Sequence, residues 1–160
     1  WHLGRNTDHE FISCSYSGSL AMSFSRKVRQ VLREPNYKTI FEDTKLDKDS
    51  QSVESWQTTQ GGRYVAAGVG GGITGKGAHV LLIDDPIKNR EDAESENNRE
   101  ATWDWYTSTA YTRLSPGGGI LVILTRWHDD DLAGRLLQHS ENGADEWEVV
   151  KYPAIAEEDE

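Results

Sequence analysis

Short, wholly apolar runs alternate along this chain with longer stretches whose apolar positions recur at helical spacing. Glu10-Phe11-Ile12-Ser13-Cys14-Ser15-Tyr16 reads as a strand. From there Leu20, Ala21, Phe24, Val28, Val31 and Leu32 fall on one helical face, and Arg26, Lys27, Arg29 and Gln30 on the other. Ser17 to Ser19 can cap that helix, and Glu34-Pro35-Asn36 stops it. Residues 43–55 are polar and read as a loop. Two β-prone runs, 55–59 and 63–67, flank Gln60-Gly61-Gly62 and predict a hairpin. Gly68 to Gly77 then holds six glycines in ten residues.

The second half repeats the alternation. His79-Val80-Leu81-Leu82-Ile83 is apolar without a period of two, which predicts a strand covered on both faces, as in a parallel sheet between helices. Residues 91–113 read as helix, with Trp103, Tyr106, Ala110 and Leu114 at helical spacing, and Pro116-Gly117-Gly118-Gly119 ends it. Ile120–Leu124 is a second fully apolar strand. Asp129 or Asp130 can cap the next helix, which turns Leu132, Leu136 and Leu137 inward. Trp147–Tyr152 alternates and predicts a strand nearer the sheet edge. Buried strands alternating with helices indicate an α/β fold, a mostly parallel sheet flanked by helices. Such sheets place ligands at the carboxyl ends of their strands. That rule points to Asp84-Asp85 and to Thr125-Arg126.

Composition narrows the picture. A chain of 160 residues with 36% hydrophobic and 28% charged residues suits one globular domain. A net charge of −10 argues against nucleic-acid binding through bulk positive charge, so any basic groove has to be local. The single cysteine, Cys14, allows neither an internal disulfide nor a Cys-based zinc site, and fits a reducing, intracellular setting. No apolar run approaches the roughly 20 residues of a membrane span, and no charged start followed by an apolar stretch marks a signal peptide. The absence of an initial Met and the acidic end suggest a segment of something longer, with a disordered tail over about 156–160.

The chemistry centres on Val80–Asp85. A buried strand ending in two carboxylates is the Walker B arrangement: one acid holds Mg2+ through water beside phosphates, and the next orients an attacking water. The plain alternative is a strand-end turn, because Asp before Pro is common there. Gly70–Gly77 fits Gly-x-x-x-x-Gly-Lys, but Gly77 stands where Ser or Thr should hold magnesium. A phosphate cradle also needs a helix after it, and this stretch runs into a strand. It therefore reads as a flexible connection, whose Lys76 can still reach a phosphate in a neighbour's site. Thr125-Arg126-Trp127-His128 places a hydroxyl and a guanidinium where a γ-phosphate can be sensed; the alternative is a turn with Arg126 paired to an adjacent acid. His128–Asp131 reads as helix capping rather than a metal cluster. His2, His9, His79 and His139 show no ligand spacing, and Trp103, Trp105 and Tyr106 read as packing.

Several blocks together resemble the ATPase domain of the large terminase subunit of tailed bacteriophages and their proviruses. They are Trp1–Asn6, Ser15-Tyr16-Ser17, Gly68–Gly77, Val80–Asn89 and Leu124–Gly134, spanning nearly the whole chain. The resemblance implies a P-loop NTPase-like core, ATP and Mg2+ as cofactors, and hydrolysis coupled to moving double-stranded DNA into a capsid. It implies Asp84 as the magnesium-coordinating acid, Asp85 as the water-activating carboxylate and Thr125 with Arg126 as the coupling motif. It implies that Lys76 lies near where relatives carry a basic residue that can act on a neighbouring subunit's nucleotide. Portal protein and the small terminase subunit are the implied partners, a homo-oligomeric motor the implied assembly, and the host cytoplasm the implied location. Residues 1–160 then form part of the ATPase domain. The P-loop strand is expected before Trp1 and the nuclease domain after Glu160, and the fragment alone is expected to be inactive. Competing readings are a metal-dependent nuclease using Asp84, Asp85 and Asp129, and a non-catalytic assembly module.

Overall fold

A computed structural model describes residues 1–153; the acidic tail expected over about 156–160 lies outside the described residues. The elements run α1 (His2–Arg5), β1 (Glu10–Ser15), α2 (Gly18–Arg33), α3 (Pro35–Ile40), β2 (Leu46–Gln51), β3 (Ser55–Thr58), β4 (Arg63–Gly68), β5 (Ala78–Asp84), α4 (Arg90–Glu94), α5 (Glu96–Trp105), β6 (Leu114–Ile123) and α6 (Leu132–Glu141). The strands form one sheet in the order β2-β3-β4-β1-β5-β6. β1 pairs in parallel with β4 and β5, and β5 with β6, while β2 and β3 continue the sheet antiparallel. This is the α/β, mostly parallel architecture that the alternation of runs predicts.

Register decides which residues meet. Ile12, Cys14, Leu81 and Ile83 share one face with Ile120 and Val122, and pack under Trp105, Tyr106, Ala110, Leu132 and Leu136. The opposite face buries Tyr64 and Ala66 under Ala21 and Leu32 of α2. Trp56 stacks on Tyr64 with ring centroids 5.0 Å apart and donates its indole N–H to Ser25 of α2 at 3.0 Å, so a buried serine anchors the helix. Ser17 caps α2 by accepting from the Leu20 amide.

Several local expectations change. Residues 46–51 form an edge strand despite their polarity, because an edge strand needs no apolar face. The stretch 91–113 is broken: Asn89 caps α4, Ser95 caps α5, and Tyr106–Ala110 form a π turn followed by a 3-10 turn. Val31, expected inward, is exposed, and Ser25 takes a buried position instead. Pro116-Gly117-Gly118 does not separate helix from strand. It bulges out within β6, between Leu114, which pairs with Ala78, and Gly119, which pairs with Val80. β6 is covered on one face only: Leu121 and Ile123 are 53% and 48% exposed. The cap of α6 is Asp131, not Asp129 or Asp130; its carboxylate accepts from the Gly134 amide at 2.9 Å. Trp147–Tyr152 alternates as a strand should but has no strand partner among the described residues and stays irregular, with Trp147 against the core.

Candidate functional site

The carboxyl ends of β1, β5 and β6 converge on the two aspartates. Asp84 ends β5 in register with Ser15 of β1 and Ile123 of β6. The next residue ties the three strand ends together. The Asp85 amide donates to the Ile123 carbonyl at 2.8 Å, and the Asp85 carbonyl accepts from the Tyr16 amide at 2.9 Å. The Asp85 carboxylate accepts from the Thr125 amide at 3.4 Å. This geometry puts Asp85 in the left-handed region, φ +46°, where no other described non-glycine residue stands. Aspartate tolerates that conformation better than most side chains. A buried, apolar strand therefore delivers a carboxylate in a fixed and strained pose, with Thr125 against it.

Electrostatics separates the two acids. Burial, and then the charge of Asp85, push the Asp84 carboxyl above the usual carboxylate range. A cation at Asp84 would relieve both effects. Ser15, its neighbour on β1, is fully buried, and its hydroxyl has no hydrogen-bond partner.

Arg126 does not face the aspartates. Its guanidinium pairs with the buried Asp131 at 2.7 Å and donates to the carbonyl of Asp129. The turn alternative weighed from the sequence describes that contact. Arg126 thereby fastens the loop after β6 to the cap of α6, and Gly134 is required there: a Cβ would lie 1.8 Å from the Asp129 carbonyl oxygen. Asp130 is held by Arg135 and Arg99, which keep its carboxyl down at about 2.

Lys76 stands just before β5, at the end of that strand opposite Asp84. The intervening strand is about 20 Å long at ~3.3 Å per residue, so Lys76 and the aspartates of the same chain do not meet. The glycine-rich stretch passes from the end of β4 to the start of β5 with Ile73 fully buried, and it leads into a strand, not a helix. It is not a phosphate cradle.

Sequence reasoning missed two features. An open crevice of about 460 Å³ lies at the carboxyl ends of β1, β4 and β5, lined by Tyr16, Val69, Lys88, Asn98 and Trp105 among others. The strand-end rule points to this region, but not to the residues of α5 that close it. The second feature is at the opposite end of the sheet, where three histidines gather. His2 Nε2 lies 3.1 Å from His9 Nδ1, His9 stacks on His79 at 4.2 Å, and His79 Nδ1 accepts from the Glu10 amide at 3.0 Å. Their distant positions in the chain gave no signal of this. Among the described residues no three His, Cys, Asp or Glu side chains are placed to hold a metal ion.

No helix among the described residues is long and apolar enough to cross a membrane. A comparison with curated proteins gives no match. The family described as terminase large subunit, T4likevirus-type, N-terminal, matches over residues 1–160, and the chain belongs to this family of phage DNA-packaging proteins.

Proposed function

We propose that this chain supplies the magnesium- and water-handling arm of an ATP-driven motor that moves double-stranded DNA into a phage capsid. The observation that carries the reading is the fixed pose of Asp85, bonded to Tyr16 after β1, to Ile123 of β6 and to Thr125 at the end of β5. The donor set fits the implied ion. Mg2+ needs only one or two protein carboxylates when phosphates and waters complete its shell, and Asp84 offers one beside Asp85. Bound Mg·ATP would supply the polarised γ-phosphate.

The residues of this chain then take separate roles. Asp84 binds the hydrated ion, and Asp85 orients the water and holds its proton through a carboxylate oxygen. Thr125 registers Asp85 through its amide. Arg126 acts through Asp131, so that a shift of the loop after β6 reaches the amino end of α6. Lys76, remote from its own aspartates, acts on the nucleotide of a neighbouring subunit in a homo-oligomeric ring. Portal protein, the small terminase subunit and DNA are the partners, in the host cytoplasm.

The test is magnesium-dependent ATP turnover by a large terminase subunit carrying this sequence. Asp84→Ala and Asp85→Asn each abolish turnover while the fold persists. Turnover retained in either variant would refute the assignment. The chain of 160 residues, in which no strand–glycine loop–helix cradle occurs among the described residues, shows no turnover by itself. The nuclease reading finds less support, because Asp129 does not join Asp84 and Asp85: among the described residues no three such side chains are placed to hold a metal ion.

A further inference from the structure

Ser15 is the one polar side chain set directly beside Asp84 in the sheet, and nothing in the fold uses its hydroxyl. The two residues are register partners on parallel strands. Register partners project to the same face from strands about 4.8 Å apart. Ser15 is 0% exposed, so water does not satisfy it, and no protein group within reach does either. A buried hydroxyl without a partner is unfavourable, and alanine at the same place would remove that cost. The setting is specific: two residues after Ser15, Ser17 caps α2. The Ser15 carbonyl accepts from the Val69 amide at 2.8 Å, which fixes the strand end. Ser15 is therefore fixed at the register position beside Asp84, with a hydroxyl that takes no part in the scaffold's hydrogen bonding.

We infer that Ser15 is a positioning residue for the Asp84 metal site, its hydroxyl donating to the Asp84 carboxylate when that carboxylate holds its ion. The inference rests on the reading of Asp84 as the magnesium-binding acid. A carboxylate that shares its ion with water and phosphate has free lone pairs, and a donor on the adjacent strand fixes which oxygen faces the ion. Ser13 provides an internal control. It lies on the same face two residues earlier and is 1% exposed, but its hydroxyl faces the Tyr64 phenol and its register partner is Leu82. Removing Ser13 should change burial in the same way without touching the ion.

The experiment uses the chain itself and Mn2+ as a paramagnetic probe, read by broadening of the Asp84 and Asp85 amide signals. The wild-type chain shows selective broadening there. Ser15→Ala requires about tenfold more Mn2+ for the same broadening, the usual effect of losing a group that orients a metal ligand. Ser13→Ala titrates as wild type. Ser15→Ala unfolds at a denaturant concentration equal to or above wild type, because it removes an orphaned hydroxyl. Identical titrations of wild type and Ser15→Ala would overturn the role of Ser15 while leaving Asp84 as the metal acid. An equal loss in Ser13→Ala would mean that packing, not the hydroxyl, sets the response. No broadening at Asp84 in the wild-type chain would overturn the metal reading of Asp84 and this inference with it.

Discussion

At the scale of single residues, a strained backbone at Asp85 and an unpartnered hydroxyl at Ser15 meet at the carboxyl end of β5. Asp85 stands at φ +46°, a region that costs an L residue about 1–2 kcal/mol unless its side chain is adapted to it. Asp85→Gly should therefore be about 1 kcal/mol more stable than Asp85→Ala, measured by urea denaturation, although neither retains the carboxylate. Equal stabilities would mean that the backbone relaxes and that the pose is not enforced. The histidine group at the far end of the sheet carries a pH signature. Burial, then the nearby His9, the Trp1 amino group and His79, hold the His2 ring below the ordinary imidazole range. Its unfolded form binds a proton more readily than its folded form. The contribution is therefore complete above the unfolded value of about 6.5 and is lost as pH falls from there through the depressed folded value. Chemical denaturation at pH 7.5, 6.5 and 5.5 should show stability falling with acid. His2→Gln, which cannot take up that proton, should flatten the part of the slope that His2 contributes.

At the scale of elements, α6 is the part whose placement the sequence most underspecified. Asp129, Asp130 and Asp131 are consecutive acids, and any of them can cap a helix. The choice falls on Asp131 because Arg126 pairs with it while Arg99 and Arg135 take Asp130. Gly134→Ala would drive a methyl group into the Asp129 carbonyl and should destabilise the chain by about 2–3 kcal/mol, with α6 amides losing exchange protection first. A neutral result would mean that α6 starts elsewhere in solution. The elements legible from sequence were those with a strong apolar period. β1, β5 and α2 declare themselves because each buries a face, and the strand-end rule places Asp84, Asp85 and Thr125 together. β2 did not declare itself, because Leu46 alone in Leu46-Asp47-Lys48-Asp49-Ser50-Gln51 is apolar and packs on the core. Trp147–Tyr152 misled in the opposite sense, since alternation alone does not pair a strand: the segment is irregular and only Trp147 packs against the core. Ser15 beside Asp84, and His2 beside His9 and His79, depend on register and topology, which no local pattern encodes.

At the scale of the whole molecule, the two edges of the sheet differ in a way that matters for association. The outer strand β2 carries Asp47, Lys48 and Asp49, the charges by which natural sheets discourage edge pairing. The opposite edge, β6, has no charged residue from Leu114 to Thr125, and its uncovered face presents Leu121 and Ile123. On that face α2 shields β1 and β4, leaving Leu121 and Ile123 in solvent. An uncharged edge with unpaired amides and a bare apolar face is a template for another strand. The net charge of −10 acts against association by long-range repulsion, which salt screens over about 10 Å at 0.1 M. The chain should therefore form larger species by light scattering as concentration and ionic strength rise. Leu121→Lys, which puts a charge on the open face and buries nothing, should restore the monomer with a stability change within about 0.5 kcal/mol. A wild-type chain that stays monomeric on concentration and on added salt would show that β6 is protected by something other than charge, and would remove the edge from consideration. If Leu121→Lys disperses the assemblies while Val31→Lys on exposed α2 does not, the contact lies on β6 rather than on apolar surface in general.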